Sequence, residues 1–125
     1  MINDITGMSD PDALAAVAGS DCAVCVMHMK GEPGTMQQAP VYADVVTEVG
    51  AFLRSAVARC REAGIADDRL VIDPGFGFGK TLDHNLALFR ALTVAFGPDF
   101  PVLVGVSRKT MLGTITGRPV DQRLA

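Results

Sequence analysis

Three short apolar runs, at residues 23–27, 70–72 and 102–106, set the strongest constraint on the fold. Each run is continuously apolar rather than alternating, which is typical of parallel strands covered by helices on at least one face. Longer segments with helical periodicity separate the runs. Strands that alternate with helices predict an α/β fold built from parallel β/α units with right-handed crossovers.

Helical periodicity predicts three helices, one before each of these strands. The first covers residues 11–18, with Asp10 as its N-cap and Gly19 at its end. The second covers about 42–63 and ends before Gly64, and the third covers about 82–96 behind an N-capping Thr81. The stripes expected to be buried are Val45, Val49, Phe52, Ala56 and Cys60 on the second helix and Leu82, Leu86, Phe89, Leu92 and Phe96 on the third.

Composition narrows the functional classes. The chain has 125 residues, 49% of them hydrophobic, and a net charge of −3, which indicates one soluble globular domain over residues 1–125. The absence of a basic run argues against a nucleic-acid binder, as does the absence of Trp. No apolar run reaches the roughly 18 residues of a membrane span, and the N-terminus does not resemble a signal peptide. A cytoplasmic location is therefore expected.

Cys22 and Cys25 form a C-x-x-C spacing, which can indicate zinc or redox chemistry. No second cysteine pair accompanies them, and Cys25 lies within a predicted strand. We interpret these residues as buried thiols that act as small apolar side chains.

The stretch DPGFGFGKT, residues 73–81, follows the second predicted strand and precedes a helix. It fails as a P-loop because Pro74 stands where the first glycine is needed. It also fails as a dinucleotide loop because Lys80 replaces the third glycine. Ligands of α/β proteins bind at this edge of the sheet, so Asp73 has two open interpretations. It either accepts hydrogen bonds from a planar heterocycle or merely caps the loop.

Two further loops leave the same edge of the predicted sheet. Ser107, Arg108 and Lys109 follow the third strand, and two cations there are either a solvated surface pair or partners of an anion or a ring. The polar stretch MHMKGEPGTMQ, residues 27–37, follows the first strand, and its His28 is expected to be a hydrogen-bonded structural histidine. Three polar loops at one edge predict an active-site rim and favour functional roles for Asp73 and Lys109.

Four stretches, taken in order, resemble the dihydropteroate synthase family: INDI (2–5), MHMKGEPGTMQ (27–37), DPGFGFGK (73–80) and GVSRKTMLG (105–113). The resemblance implies a (β/α)₈ barrel. It also implies a transferase of folate biosynthesis, inhibited by sulfonamides, that joins (7,8-dihydropterin-6-yl)methyl diphosphate to 4-aminobenzoate and releases diphosphate.

The resemblance also implies roles for individual residues. Asp73 and Lys109 would be the catalytic pair, with Asp73 holding the edge of the pterin ring and Lys109 hydrogen-bonded to it. Asn3 would bond the pterin, and Ile5 and Met27 would pack on its faces. The aminobenzoate pocket would include Phe78, Ser107 and Arg108. A Mg²⁺ ion on the diphosphate is implied, with its ligands outside this chain, as is a homodimer of the full-length enzyme.

A complete barrel of this kind takes about 250 residues, so we expect this chain to be part of one. The resemblance places it from the end of the fourth β/α unit through the seventh. Alone, such a part is expected to be inactive, and to be aggregation-prone or self-associating through its open sheet edges. An alternative remains open: a pterin-binding module of a methyl-transfer protein without synthase activity. The combination of FGFGK with SRK favours the synthase.

Overall fold

The strands form one parallel sheet in a computed structural model that describes residues 1–31 and 40–123. Strand β1 is Ile2–Asp4, β2 is Val24–Met27 and β3 is Leu70–Asp73, in the spatial order β1-β2-β3. The α/β prediction of parallel units is confirmed. The sequence analysis assigned no apolar strand to residues 2–4, whereas the structure forms β1 there. The predicted loop at 27–37 lies partly outside the described residues.

Within the described ranges, four α-helices connect and follow the strands: α1 Pro11–Ala18, α2 Val45–Glu62, α3 Leu82–Ala91 and α4 Thr110–Thr116. The bounds of α1 are those predicted, because the Asp10 side chain accepts the N–H groups of Asp12 and Ala13. Helix α2 begins later than predicted because Asp44 is its N-cap. The sequence analysis missed α4, and a π-helical turn, Leu92–Phe96, continues α3.

One face of the sheet packs against α2 and forms the core. Fully burying a Val or Leu side chain stabilises the fold by about 1.5–3 kcal/mol, so this face accounts for much of the stability. The core residues on this side are Val24, Val26, Leu70 and Ile72 of the sheet and Val45, Val49, Leu53, Ala56, Val57 and Cys60 of α2. Because side chains alternate along a strand, Cys25, Met27 and Asp73 point to the opposite face.

The predicted strand at residues 102–106 is wrong within the described chain. One parallel bridge joins Val102 to Ile72, with Leu103 N–H donating to the Ile72 carbonyl over 2.8 Å. The ladder cannot continue because β3 ends at Asp73 and the next residue, Pro74, has no N–H to donate. The segment still lies beside β3, so its loop leaves the same edge of the sheet.

The predicted buried stripe of the third helix is wrong at Phe89, whose side chain is 52% exposed. The buried face of α3 instead carries Asn85 and Leu88. Asn85 turns inward because its Oδ1 accepts the N–H of Gly77 over 2.9 Å. On α2, the predicted Phe52 is only half-buried, and it packs edge-on to His28 with ring centroids 5.0 Å apart.

The three cysteines are free thiols. Cys25 and Cys60 are fully buried, as the interpretation required, and burial raises the pKa of Cys25 to about 12. Cys22 is exposed, so the buried-thiol interpretation is wrong for it. It lies before β2 and therefore outside the apolar strand. None of the helices in the described ranges is long and apolar enough to cross a membrane.

Candidate active site

Strand register brings the predicted pterin residues to one face of the sheet at its carboxyl edge. Met27 pairs with Asp73, and Asn3 pairs with Cys25, two residues earlier on the same face. Met27 and Asp73 are buried, with exposures of 2% and 5%, whereas Asn3 is exposed. Ile5 follows β1 directly and is half-buried. The face opposite the α2 core therefore carries a buried carboxylate beside apolar and amide side chains.

Asp73 is held at the start of the glycine loop. Its Oδ1 accepts the N–H of Gly75 over 2.7 Å, and its backbone carbonyl accepts the N–H of His28 over 3.0 Å. Oδ2 receives no hydrogen bond from the described residues. Burial raises the pKa of Asp73, while the Gly75 N–H and then Lys109 and Lys80 oppose that shift. Asp73 therefore caps the loop, and its role as a ligand stays a prediction.

The glycine loop lies directly on the loop that follows β2. Gly75 has φ +70° and Gly79 has φ +65°, a region that favours glycine. A Cβ on Gly75 would collide with the carbonyl oxygen of His28, and a Cβ on Gly79 would collide with that of Lys30. Because Gly75 and Gly79 lack side chains, the backbone of the glycine loop can touch the backbone of the loop that follows β2.

Lys80 is a site residue that the sequence analysis missed. It is 3% exposed, and its Nζ donates to the carbonyls of Gly75 over 2.8 Å and Phe78 over 3.0 Å. Nζ also lies 3.4 Å from the His28 carbonyl and 2.9 Å from His28 Nδ1. Burial lowers the pKa of Lys80 to about 7, and Asp73 opposes that shift. The sequence contained one signal for it: Lys80 stands where a dinucleotide-binding loop has its third glycine.

His28 is the structural histidine that the sequence predicted. It is 6% exposed, and burial together with the Lys80 charge lowers its pKa to about 3. The ring is therefore neutral near pH 7. When Lys80 is protonated, Nδ1 accepts from Nζ, so the ring proton is on Nε2.

Lys109 reaches the same loop from the other side. Its Nζ donates to the carbonyl of Phe76 and lies 4.5 Å from the centroid of the Phe78 ring. Burial lowers the pKa of Lys109, and Asp73 opposes the shift. The sequence left two interpretations of Arg108 and Lys109 open, a solvated surface pair or cations that contact an anion or a ring. Lys109 contacts a ring, that of Phe78.

A cleft of about 700 Å³ opens between the glycine loop and α4. Phe78 and Arg108, two of the three residues predicted for the aminobenzoate pocket, line it together with Lys109. Other lining residues include Asn85, Met111 and Thr114. Ser107 is exposed and does not belong to this lining, and neither do Asn3, Met27 and Asp73. Lys109 and Lys80 both line the cleft, and the charges of both act to lower the pKa of Asp73, so the two lysines connect the cleft to the carboxylate.

A resident metal does not fit the described residues. No group of three or more His, Cys, Asp or Glu side chains within 1–31 and 40–123 is arranged to hold a metal ion. The implied Mg²⁺ is therefore assigned no ligand here.

Comparison with known proteins connects this geometry to a family. A family model described as pterin binding enzyme matches residues 1–125. The chain is 47% identical over 125 residues to the dihydropteroate synthase of Escherichia coli strain K12, covering 100% of this chain and 44% of that protein.

Two solved structures share the fold. A Yersinia pestis dihydropteroate synthase in complex with a sulfonamide drug gives a TM-score of 0.91 at 45% identity, over 98% of this chain and 44% of that one. The Thermus thermophilus dihydropteroate synthase in complex with 4-aminobenzoate gives a TM-score of 0.90 at 46% identity, over 97% of this chain and 47% of that one.

The chain spans less than half the length of these relatives. Its parallel β/α units correspond to part of their (β/α)₈ barrel, which confirms the partial-barrel prediction. The family model covers residues 1–125, and the described residues share the fold of the solved enzymes. This protein therefore belongs to the family of pterin-binding enzymes.

Proposed function

We propose that this chain forms the pterin-binding and aminobenzoate-binding part of a dihydropteroate synthase. The observation that carries the proposal is Asp73, a buried carboxylate at the carboxyl edge of the sheet with two lysines near it. The relatives compared above, all dihydropteroate synthases, support the reaction.

The face of the sheet opposite α2, beside Asp73, suits a flat heterocycle with N–H groups on one edge. Oδ2 of Asp73 is directed to no described donor, and a carboxylate accepts two parallel hydrogen bonds from such an edge. Asn3 offers an amide at the same face, and Met27 and Ile5 offer apolar surface for the ring. Lys109 lies close enough to Asp73 to stabilise its charge and can donate to the same ring.

The cleft beside this face suits a small aromatic carboxylate. Phe78 and Met111 provide apolar surface, and the exposed Arg108 provides a cation at the rim. The Thermus thermophilus enzyme was solved with 4-aminobenzoate and the Yersinia pestis enzyme with a sulfonamide drug. These ligands support 4-aminobenzoate as second substrate here and sulfonamides as competitors. Ser107 lies outside the cleft, so its role near 4-aminobenzoate is proposed from its position beside Arg108 in the chain.

The reaction needs little from the protein beyond placement. The amine nitrogen of 4-aminobenzoate attacks the methylene carbon, the carbon–oxygen bond to diphosphate breaks, and diphosphate leaves with the electron pair. The new secondary amine loses one proton to solvent. Holding both partners in line and compensating charge is sufficient, and Lys109 with Asp73 can do both. We also propose Mg²⁺ on the diphosphate, with ligands outside this chain, a homodimer and a cytoplasmic location.

The test is product formation by the full-length protein. Incubation with the pterin diphosphate and 4-aminobenzoate should release dihydropteroate and diphosphate in equal amounts, as followed by liquid chromatography. Sulfonamide should compete with 4-aminobenzoate. Pterin binding without any dihydropteroate would contradict the synthase proposal and favour the methyl-transfer alternative. The isolated 125-residue chain should form no product.

A further inference from the structure

We propose that Lys80 is a positioning residue of this site. Its Nζ group fastens the loop after β2 to the loop after β3, so that Asp73 and Phe78 keep the places in which they meet the two substrates. The substrate part of this inference depends on the proposed function, whereas the fastening of the two loops does not.

The two loops touch through their backbones at Gly75 and Gly79, which carry no side chains, and the Tyr42 hydroxyl donates to the Gly79 carbonyl over 2.9 Å. Gly75 approaches the His28 carbonyl so closely that no Cβ would fit, and Gly79 does the same at the carbonyl of Lys30. Backbone carbonyls that face one another repel unless a donor lies between them. Among the described residues, Lys80 is a buried cation whose donors reach carbonyls of both loops.

The donors of Lys80 match the acceptors around it. A protonated lysine has three N–H donors. They are shared among the carbonyls of Gly75, Phe78 and His28 and the Nδ1 atom of His28, all within 3.4 Å. Removing these donors would leave buried acceptors without partners, which is more unfavourable than the loss of an exposed hydrogen bond. The loops would then separate or rearrange.

The residues that accept hydrogen bonds from Lys80 either contact a residue assigned to a substrate or are such a residue themselves. Gly75 donates its N–H to Asp73 Oδ1 and accepts from Lys80 through its carbonyl, so a displaced Gly75 displaces the carboxylate. Phe78 accepts from Lys80 through its carbonyl and lines the cleft. One side chain thus fixes residues assigned to each substrate.

Arg69 offers a matched control at the other edge of the sheet. Its guanidinium donates to the carbonyls of Val17 and Cys22 over 2.9–3.1 Å, so it also joins backbone segments through a cation. It precedes β3, whereas Lys80 follows it. Loss of Arg69 should therefore weaken the fold without disturbing the carboxyl edge.

The experiment compares Lys80→Met, Lys80→Gln and Arg69→Met in the full-length protein. Dissociation constants for the pterin diphosphate, and for 4-aminobenzoate in the presence of diphosphate, are measured beside thermal stability. Hydrogen exchange is followed in peptides that cover residues 28–31 and 74–80. Lys80→Met should weaken both ligands about tenfold or more and speed exchange in both peptides. Lys80→Gln keeps two N–H donors and should restore part of the affinity.

Arg69→Met should lower the midpoint of thermal unfolding while ligand affinity and exchange at residues 74–80 stay unchanged. Wild-type affinity in Lys80→Met, or an affinity loss no larger than in Arg69→Met at equal destabilisation, would overturn the proposal. If Lys80→Met does not fold, Lys80→Gln decides by the same criteria. If the wild type binds neither ligand, the proposed function fails and the exchange measurement decides alone. Unchanged exchange in both peptides would then refute the fastening.

Discussion

The two edges of the sheet hold their charges differently. At the amino edge, Arg61 and Asp67 form an exposed ion pair at 2.7 Å, and Gly64 has φ +86° with nothing near its missing side chain. At the carboxyl edge, Asp73 and Lys80 are almost fully buried, and Gly75 has φ +70° against another backbone. Water solvates the charged groups at the amino edge. At the carboxyl edge, the buried Asp73 and Lys80 stabilise each other's charged forms. Binding chemistry is therefore expected at the carboxyl edge.

The largest expected effect is that of Gly75→Ala, compared with Gly64→Ala. Both substitutions strain a left-handed residue by roughly 1–2 kcal/mol, but the alanine at 75 also collides with the His28 carbonyl. We expect Gly75→Ala to lower the free energy of unfolding by about 3 kcal/mol or more, and Gly64→Ala by about 1 kcal/mol. Denaturant unfolding of both variants measures the difference. Equal losses would show that backbone contact at the carboxyl edge is unimportant.

The second effect is that of Asp73→Asn on pterin binding. The asparagine oxygen can still accept the N–H of Gly75, but the amide nitrogen faces the ligand's donors. Unpaired donors should weaken pterin binding by about 1–3 kcal/mol, which is roughly 5- to 150-fold. Calorimetric titration of the full-length protein measures this change. Asp67→Asn at the amino edge is the control. An equal loss of pterin affinity in this variant would show that the two edges do not differ in their part in binding.

The third effect is a pH dependence of stability due to Lys80. Its pKa is about 7 in the fold, against an ordinary value of 10.5. Between these values the unfolded chain holds a proton that the folded chain has released. This contribution to stability therefore rises with pH, by at most about 1.4 kcal/mol per unit. The groups that face Lys80 are His28, Asp73 and Lys109.

The neutral amine keeps two N–H donors for the loop carbonyls, so proton loss does not undo the fastening. Its lone pair can accept from His28 if the ring proton moves to Nδ1. Denaturant unfolding between pH 7 and 10 should show a steeper rise in the wild type than in Lys80→Met. Parallel curves would mean that Lys80 keeps its proton in the fold throughout this range.

The smallest effect is expected for Arg61→Ala at the amino edge. Solvent screens its exposed pair with Asp67, so the midpoint of thermal unfolding should fall by less than about 2 °C. Pterin affinity should not change. Thermal melts with and without ligand test both statements. A loss of affinity here would show that the two edges are coupled.

Local patterns predicted the features whose causes are local. The Asp10-Pro11 start and the Gly19 end gave the bounds of α1, and the end of an apolar run placed Asp73 at the carboxyl edge. Alternation along parallel strands then brings Met27 and Asp73 to one face. The bounds of α1 were predictable because hydrogen bonds within a few residues determine them, whereas the shared face of Met27 and Asp73 also requires β2 to pair with β3.

Distant contacts explain what the sequence could not give. Lys80 and His28 are 52 residues apart, and their pairing depends on how two loops meet. Asn85 was missed because its inward turn depends on the N–H of Gly77 in the preceding loop. The run at 102–106 has strand composition but lacks a ladder partner after Pro74. Ser107 stays outside the cleft although its neighbours Arg108 and Lys109 line it.

A crystal structure of the full-length protein with a bound pterin tests the central claim most directly. We predict that the pterin ring lies on the face of the sheet opposite α2, with its N–H edge about 3 Å from Asp73 Oδ2. Lys109 should then leave the Phe76 carbonyl or share its donors with the ring. A pterin bound elsewhere, or one whose N–H edge does not contact Asp73, would contradict the account.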